Sequence, residues 1–154
     1  MAAKQIPLNK IKHVIATGLG SGYSPFAPGT AGSLVALILY IVIPIDDYIW
    51  LAVTIITFFI GIWVSNAVER EQEKDPPIIV IDEIVGQWVA LLFLPRILWI
   101  FLAAFLLFRI LDIIKPFPAA DMEDFEGGAG IMLDDIIAGF YTNLALHLTI
   151  IFIT

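Results

Sequence analysis

The 154-residue chain is 60% hydrophobic, with a mean hydropathy of +0.94 and a formal net charge of −7. Soluble domains contain roughly 45–50% apolar residues, so this composition excludes an ordinary water-soluble protein and indicates an integral membrane protein. The sequence contains no cysteine, which excludes disulfides, thiolate metal ligands and cysteine nucleophiles. The acidic balance gives no basis for a nucleic-acid partner.

The first notable segment in chain order is the glycine- and hydroxyl-rich stretch at residues 18–33, which leads into an apolar run. Two interpretations of it are open. Its backbone N–H groups and the hydroxyls of Ser24, Thr30 and Ser33 bind a phosphate oxyanion, with Thr30 as the helix N-cap. Alternatively, it is a re-entrant or interfacial turn that allows close backbone packing. It matches neither the Walker A loop nor the dinucleotide fingerprint.

Five apolar segments follow, at residues 30–45, 48–68, 78–94, 97–114 and 131–153. They predict an all-α fold, a polytopic membrane helical bundle formed by one domain over residues 1–154. Segment 30–45 reaches only about 24 Å against a hydrocarbon thickness of about 30 Å, so it is expected to be partly re-entrant or to thin the bilayer. Of the eight Lys and Arg residues, only Arg96 falls opposite the N-terminus, which is therefore predicted to be cytoplasmic.

Carboxylates occur in three of these segments at one predicted depth, as Asp82-Glu83, Asp112 and Asp134-Asp135. A charge in the middle of a membrane helix costs about 2.5 to 3.5 kcal/mol on insertion scales, so such acids usually have a partner or a function. The alternative is that they are helix-end carboxylates at the level of the lipid headgroups. The convergence of three segments at the predicted cytoplasmic boundary favours a functional site.

The acids and bases also indicate the chemistry of this site. Carboxylate oxygens are hard ligands and the chain has only two histidines, so the acids predict Mg²⁺ or Mn²⁺ rather than zinc. Arg109, Asp112 and Lys115 recur every three residues along one helical surface before Pro116 ends the run. This spacing fits a phosphate-binding edge beside the acids. It also fits an Arg109–Asp112 pair with both bases reaching toward anionic headgroups.

Four blocks of the sequence resemble the phosphatidylglycerophosphatase A family. They are G-S-G-Y-S-P-F-A-P-G-T-A-G-S, I-D-E-I-V-G-Q-W-V, F-R-I-L-D-I-I-K-P-F-P and G-G-A-G-I-M-L-D-D-I-I-A-G, and they extend from about Gly18 to Gly139. The resemblance implies a multi-pass enzyme of the bacterial cytoplasmic membrane, with its active site at the cytoplasmic face. Such an enzyme removes the terminal phosphate of phosphatidylglycerophosphate with Mg²⁺ as cofactor, giving phosphatidylglycerol. Here Ile81 stands where the family's common W-D-E begins with tryptophan.

The family pattern assigns roles to residues of this chain. The implied catalytic set is Asp82, Glu83, Asp112, Lys115, Asp134 and Asp135, with Mg²⁺ ligands among Asp82, Glu83, Asp134 and Asp135. Arg109 and Lys115 are expected to neutralise the phosphate, together with the hydroxyls of the glycine-rich loop. Direct attack by water and an aspartyl-phosphate intermediate, with Asp82 or Asp112 as nucleophile, are both open.

Two other classes of membrane protein are alternatives. A CDP-lipid phosphotransferase is also Mg²⁺-dependent and rich in aspartate, but its D-G-x₂-A-R-x₈-G-x₃-D-x₃-D motif is absent from the sequence. A carboxylate-based cation or proton-coupled transporter should hold its acids near the bilayer midplane, where they can be reached from both faces. The sequence gives no indication of the oligomeric state.

Overall fold

The computed structural model describes residues 8–71, 76–122 and 124–153, with only the backbone described for residues 8 and 9. Within these ranges all the regular structure is helical, which confirms the predicted all-α class. The helices are α1 (Leu8–Ala16), α2 (Pro28–Val42), α3 (Asp47–Glu71), α4 (Ile81–Leu91), α5 (Leu98–Ile114), α6 (Ala119–Met122) and α7 (Gly128–Ile153), with a short 3-10 helix at Ser21–Tyr23. Lys4 and Lys74, which entered the topology count, lie outside the described residues.

Each predicted apolar segment contains one helix. All five helices begin and end within three residues of the predicted bounds, but α4 is three residues shorter than predicted at each end and has only 11 residues. The chain enters α4 through a turn in which the Ile79 N–H donates to the Pro76 carbonyl, and a left-handed Phe93 follows its end. Among the described residues, α3 and α7 are the two helices long and apolar enough to cross a membrane. The other crossings stay a prediction.

Helix α4 is the centre of the bundle and packs against α2, α3, α5 and α7. Its contact with α7 is between backbones: a Cβ on Gly86 would lie 2.7 Å from the Asp135 carbonyl oxygen, and a Cβ on Gly139 would overlap the Gly86 carbonyl. Glycines at such a crossing let two membrane helices approach closely. The crossing therefore holds the first turn of α4, with Asp82, beside the Asp135 turn of α7.

A polar cluster fastens the end of the bundle that lies opposite the acids. The Tyr40 hydroxyl lies 2.7 Å from Asp47 Oδ1 and 3.1 Å from the Leu91 carbonyl. Arg96 donates to the Ile45 carbonyl at 2.7 Å, and its guanidinium carbon lies 4.7 Å from the centre of the Tyr40 ring. These contacts tie α2, α3 and the segment before α5 together.

Replacing Tyr40 by phenylalanine is expected to lower the free energy of unfolding by about 1–2 kcal/mol, because Asp47 loses its hydroxyl donor in a partly buried setting. Unfolding in detergent, followed by circular dichroism, measures the change. Tyr48→Phe is the control, since that side chain is 73% exposed. Equal stability losses in the two variants would show that the cluster contributes nothing.

The glycine-rich segment packs closely against the approach to α4. The Val80 N–H donates to the Ala16 carbonyl at 2.9 Å. A Cβ on Gly22 would overlap the Ile78 carbonyl. Gly18 has a φ of +52°, a backbone conformation that residues with a side chain rarely adopt. These contacts support the interpretation of the segment as a tightly packed turn.

The prediction that Thr30 caps α2 is wrong. The helix begins at Pro28, and its N-cap is Ala27, whose side chain makes no capping bond. The reason is Pro28, whose fixed φ suits the first position of a helix. The N–H group that proline lacks would have no partner within the helix at that position. Thr30 therefore lies inside the first turn of α2.

Candidate active site

A cavity of about 290 Å³ lies where the N-terminal ends of α2 and α4 meet the C-terminal end of α5 and the early turns of α7. The structure brings all seven charged residues of the predicted site to this cavity. They are Asp82, Glu83, Arg109, Asp112, Lys115, Asp134 and Asp135. The rest of the wall is formed by residues 27–29, Pro76, Pro77, Ile79 and Ile131.

The local sequence explains why these side chains converge. Asp82 and Glu83 stand in the first turn of α4, where the positive end of the helix dipole favours carboxylates. Asp134 and Asp135 lie in the second turn of α7, one turn further in than the sequence indicated, because that helix already begins at Gly128. Lys115 ends α5 in a left-handed conformation with a φ of +49°.

Both bases of the cavity are paired with acids. Lys115 Nζ lies 2.7 Å from Asp134 Oδ2. Arg109 donates to Asp112, and its Nη1 lies 4.0 Å from Glu83 Oε1. The Arg109–Asp112 pair considered from the sequence is therefore present, and both of its members line the cavity.

Three carboxylates of the cavity form a group whose only ion pair with a base, among the described residues, is the 4.0 Å approach of Arg109 to Glu83. Asp82, Glu83 and Asp135 each offer an oxygen, and these oxygens lie within 4.8 Å of one another. Asp82 Oδ1, Glu83 Oε2 and Asp135 Oδ1 are buried and have no hydrogen-bond partner in the described part of the chain. Burying several unpaired carboxylates together is costly unless a cation neutralises them. A set of hard carboxylate oxygens fits Mg²⁺.

Asp134 differs from the three grouped carboxylates. Its Oδ2 pairs with Lys115, and its Oδ1 accepts the Asp135 backbone N–H at 2.9 Å. A carboxylate held by a lysine and a backbone donor is a weaker candidate for direct contact with a metal. Its position instead connects the group of carboxylates to the base at the end of α5.

The backbone of α2 also reaches this group. A Cβ on Gly29 would overlap Glu83 Oε1 and lie 3.0 Å from Arg109 Nη2. Sequence reasoning singled out the hydroxyls of this loop and missed the close contact at Gly29. The Pro-Gly pair at the start of the apolar run was the available signal, since glycine permits such an approach.

The three hydroxyls predicted to bind phosphate do not line the cavity. Ser33 is buried and donates to the Gly29 carbonyl at 2.9 Å, and Ser24 donates to the Phe26 carbonyl at 2.8 Å. Thr30 is partly buried in the first turn of α2. Their contact with phosphate stays a prediction, and the geometry directs two of these hydroxyls to local backbone instead.

A further polar residue lies deeper in the bundle. Gln87 is fully buried, and neither atom of its amide has a hydrogen-bond partner among the described residues. It follows Glu83 by four residues, so it lies on the same face of α4 one turn further in. Sequence reasoning missed Gln87, although a glutamine inside an apolar run was a visible signal.

The fold and the site together define a membrane helical bundle with an acid- and base-lined cavity suited to phosphate chemistry. A sequence profile of the family described as PgpA, Phosphatidylglycerophosphatase A, matches residues 14–150. The chain belongs to the phosphatidylglycerophosphatase A family. It is accordingly an enzyme of the phosphoric monoester hydrolase class.

Individual relatives are similar over most of their length. A phosphatidylglycerophosphatase A of Escherichia coli is 36% identical over 143 residues, covering 90% of this chain and 83% of the relative. That of Haemophilus influenzae is 39% identical over 150 residues, covering 91% and 92%. A Bacteroides thetaiotaomicron protein, provisionally named a phosphatidylinositol-3-phosphatase, is 47% identical over 142 residues, covering 86% and 89%. No solved structure matches the chain.

Proposed function

We propose that the protein hydrolyses the terminal phosphomonoester of phosphatidylglycerophosphate in this cavity, with Mg²⁺ as cofactor, and so releases phosphatidylglycerol and inorganic phosphate. The observation that carries the proposal is a group of three carboxylates beside two bases, in which each carboxylate has one buried oxygen without a hydrogen-bond partner in the part of the chain that the structure describes. Membership in the family supports a lipid phosphatase of phosphatidylglycerol synthesis. The divalent ion follows from the chemistry of the carboxylates.

The residues that would hold Mg²⁺ are Asp82, Glu83 and Asp135. When bound, the ion supplies a Lewis acid that polarises the phosphoryl oxygens. Asp134 stays paired with Lys115 and fixes the position of that ammonium group. The proposed ligand set is therefore narrowed from four acids to three, each of which keeps one buried oxygen with no hydrogen-bond partner among the described residues.

Arg109 and Lys115 bind the phosphate oxygens and neutralise charge as it spreads in the transition state. The side chains of both are largely buried, 15% and 26% exposed, and their carboxylate partners hold them in place. The N-terminal turn of α2 adds its dipole beside them. The phosphorus–oxygen bond to the glycerol breaks, and that oxygen takes up a proton as the nucleophile adds to phosphorus.

The nucleophile is either water, which loses its proton to a cavity carboxylate, or the carboxylate of Asp82 or Asp112. Acid quenching with ³²P-labelled substrate separates the two routes, because an acyl phosphate survives acid and is cleaved by hydroxylamine. Asp112 is already engaged by Arg109, and the carboxylate of Asp82 is one of the three that would hold the ion, so neither is available to attack phosphorus. We therefore favour direct attack by water, and labelled protein would contradict it.

The proposed orientation in the membrane rests on the distribution of Lys and Arg between the two ends of the bundle. With the cavity at the cytoplasmic face of the bacterial inner membrane, the Asp46 end faces outward and the exposed Glu126 loop faces inward. In intact cells, a membrane-impermeant maleimide is expected to label Asp46→Cys and to spare Glu126→Cys. The reverse labelling pattern would contradict this orientation.

The name of the Bacteroides relative favours a second substrate, phosphatidylinositol 3-phosphate. Both lipids carry a phosphomonoester on a polyol headgroup, so the same cavity chemistry serves either. Phosphate release from the two lipids and from phosphatidic acid, in mixed micelles with Mg²⁺ or EDTA, tests the proposal. We expect Mg²⁺-dependent release that is fastest from phosphatidylglycerophosphate. Faster release from the inositol lipid would change the assigned substrate, and no release from any lipid would contradict the proposed function.

Replacing Gly29 by alanine is expected to lower kcat at least tenfold with little loss of stability, because the new methyl displaces the Glu83 carboxylate and crowds Arg109. Phosphate release and thermal unfolding are measured on the same preparation. Thr30→Ala is the neighbouring control, and it also tests the predicted hydroxyl contact. A large loss of activity in Thr30→Ala but not in Gly29→Ala would contradict this account and support the predicted contact between the Thr30 hydroxyl and phosphate.

A further inference from the structure

Two phenylalanine rings are exposed on the loops that bound the cavity. Phe26 is 84% exposed and directly precedes the cavity-lining residues 27–29. Phe117 is 78% exposed and follows cavity-lining Lys115 by two residues. Both rings lie outside the helices. A large apolar side chain is about 1.5–3 kcal/mol less stable in water than when buried. Contact with an apolar partner would therefore stabilise both rings.

The turns that carry these rings are fixed in place. Ala27 and Lys115 have left-handed backbones, with φ of +46° and +49°. This conformation costs a residue with a side chain about 1–3 kcal/mol and persists where the surrounding structure imposes it. The two rings are therefore attached to defined turns at the edge of the cavity.

The contacts between α3 and α7 give their relative register. A Cβ on Gly61 would lie 2.7 Å from Met132 Sδ, so these residues are level with each other. Earlier in α7, the Gly128 N–H donates to Asn66 Oδ1 at 2.8 Å, further along α3. Residue numbers thus rise along one helix as they fall along the other, and the two helices are antiparallel.

This register places the carboxylates below the membrane surface. Trp63 is half-exposed, and Lys12 Nζ lies 4.8 Å from the centre of its ring, a pairing typical of the membrane–water interface. Trp63 is two residues beyond Gly61, and Asp135 is three residues beyond Met132 in the opposite direction. At 1.5 Å per residue, Asp135 lies roughly 7–8 Å deeper than Trp63.

The two exposed rings lie at nearly the same depth as the acids. The turn after Phe26 reaches Glu83 through Gly29. The turn before Phe117 reaches Asp134 through the 2.7 Å bond of Lys115. Both rings therefore belong to a level below the interfacial tryptophan, where the surroundings of an exposed side chain are lipid.

We propose that Phe26 and Phe117 form a lipid-contacting rim of the cavity. Its partner is a diacyl phospholipid of the same leaflet, whose glycerol and first acyl carbons lie against the rings while its headgroup phosphate enters the cavity. The rim lets the enzyme take a phosphate from a lipid that stays in the bilayer. The choice of ligand rests on the proposed function, whereas the depth of the rim rests on the helix register.

Spin labelling tests the depth of the two rings in the membrane. Because the chain contains no cysteine, each introduced cysteine is the only site that the label can modify. Labels at Phe26→Cys and Phe117→Cys in phospholipid vesicles are expected to be accessible to oxygen and shielded from a water-soluble nickel complex. Phe59→Cys is the lipid-facing control, because Phe59 lies on α3 at about the depth of Asp135 and is 64% exposed. Asp46→Cys is the aqueous control. Rim labels that match Asp46→Cys, or that neither reagent reaches, would overturn the proposal.

An activity measurement tests the purpose of the rim. The double variant Phe26→Ala/Phe117→Ala is expected to raise the interfacial KM for long-chain phosphatidylglycerophosphate on the order of tenfold without changing kcat. Its hydrolysis of a monomeric short-chain analogue should match that of the wild type, and Phe59→Ala should behave as wild type on both. Equal losses on the two substrates, or no loss, would overturn the proposal. A wild type that hydrolyses neither substrate would contradict the phosphatase function instead. The depths of the spin labels would then still test whether Phe26 and Phe117 contact lipid.

Discussion

Replacing Asp82 or Asp135 by asparagine is expected to lower kcat for phosphate release by about 10²–10³-fold, the usual cost of removing one preorganised electrostatic group from an active site. The two residues are 8% and 2% exposed, and each has one carboxylate oxygen without a hydrogen-bond partner within the described ranges of the chain. Neutralising either acid weakens the hold on a divalent ion and leaves the helices in place. Steady-state kinetics at saturating Mg²⁺ measures the effect.

The same two variants should be at least as stable as the wild type in EDTA, because each amide relieves the crowding of buried like charges. Asp121→Asn, on the exposed surface of α6, is the matched control and should change neither property. Full activity in Asp82→Asn or Asp135→Asn would remove these acids from the site. Loss of activity together with unfolding would assign them a structural role only.

Replacing Gly86 by alanine is expected to destabilise the bundle by about 1–3 kcal/mol and to reduce activity at least tenfold. A Cβ there would lie 2.7 Å from both the Asp135 carbonyl and the Phe108 ring, so α4 and α7 must separate. That separation moves Asp82 away from Asp135, which disrupts the proposed metal site together with the packing. Unfolding in detergent and phosphate release report the two effects.

Gly61→Ala is the matched comparison, because it also adds one methyl to a helical glycine between two helices. There the methyl meets the end of the Met132 side chain, 2.7 Å from its sulfur, and a flexible thioether can move aside. We expect a stability change below about 1 kcal/mol and near-normal activity. Similar losses in the two variants would show that the backbone crossing at Gly86 has no special role.

The positions of the main helices could be predicted from the sequence because each of them coincides with a long apolar segment. The length of α4 could not, since residues 78–80 are as apolar as a helix but bond elsewhere, with the Val80 N–H donating to Ala16. Helix α1 was also missed. Its apolar residues are interrupted by Lys10 and Lys12, the pattern of a helix with one apolar face rather than of a membrane span.

The members of the site were predicted, but their pairing was not. Acids inside apolar runs are conspicuous because burying them is costly, and all five predicted carboxylates line one cavity. Which of them lacks a partner depends on how the chain turns at Lys115 to reach Asp134. The contact of Gly29 with Glu83 is equally a product of three-dimensional packing. Spacing in the sequence carries neither fact.

The central claim is that Asp82, Glu83 and Asp135 hold a divalent ion, and equilibrium binding of Mn²⁺ followed by electron paramagnetic resonance tests it most directly. We predict saturable binding to the detergent-solubilised wild type that Mg²⁺ displaces. The affinity should fall at least tenfold in Asp82→Asn and Asp135→Asn, and less in Asp134→Asn, whose carboxylate is engaged by Lys115. Wild-type affinity in Asp82→Asn and Asp135→Asn, or no saturable binding by the wild type, would contradict the claim.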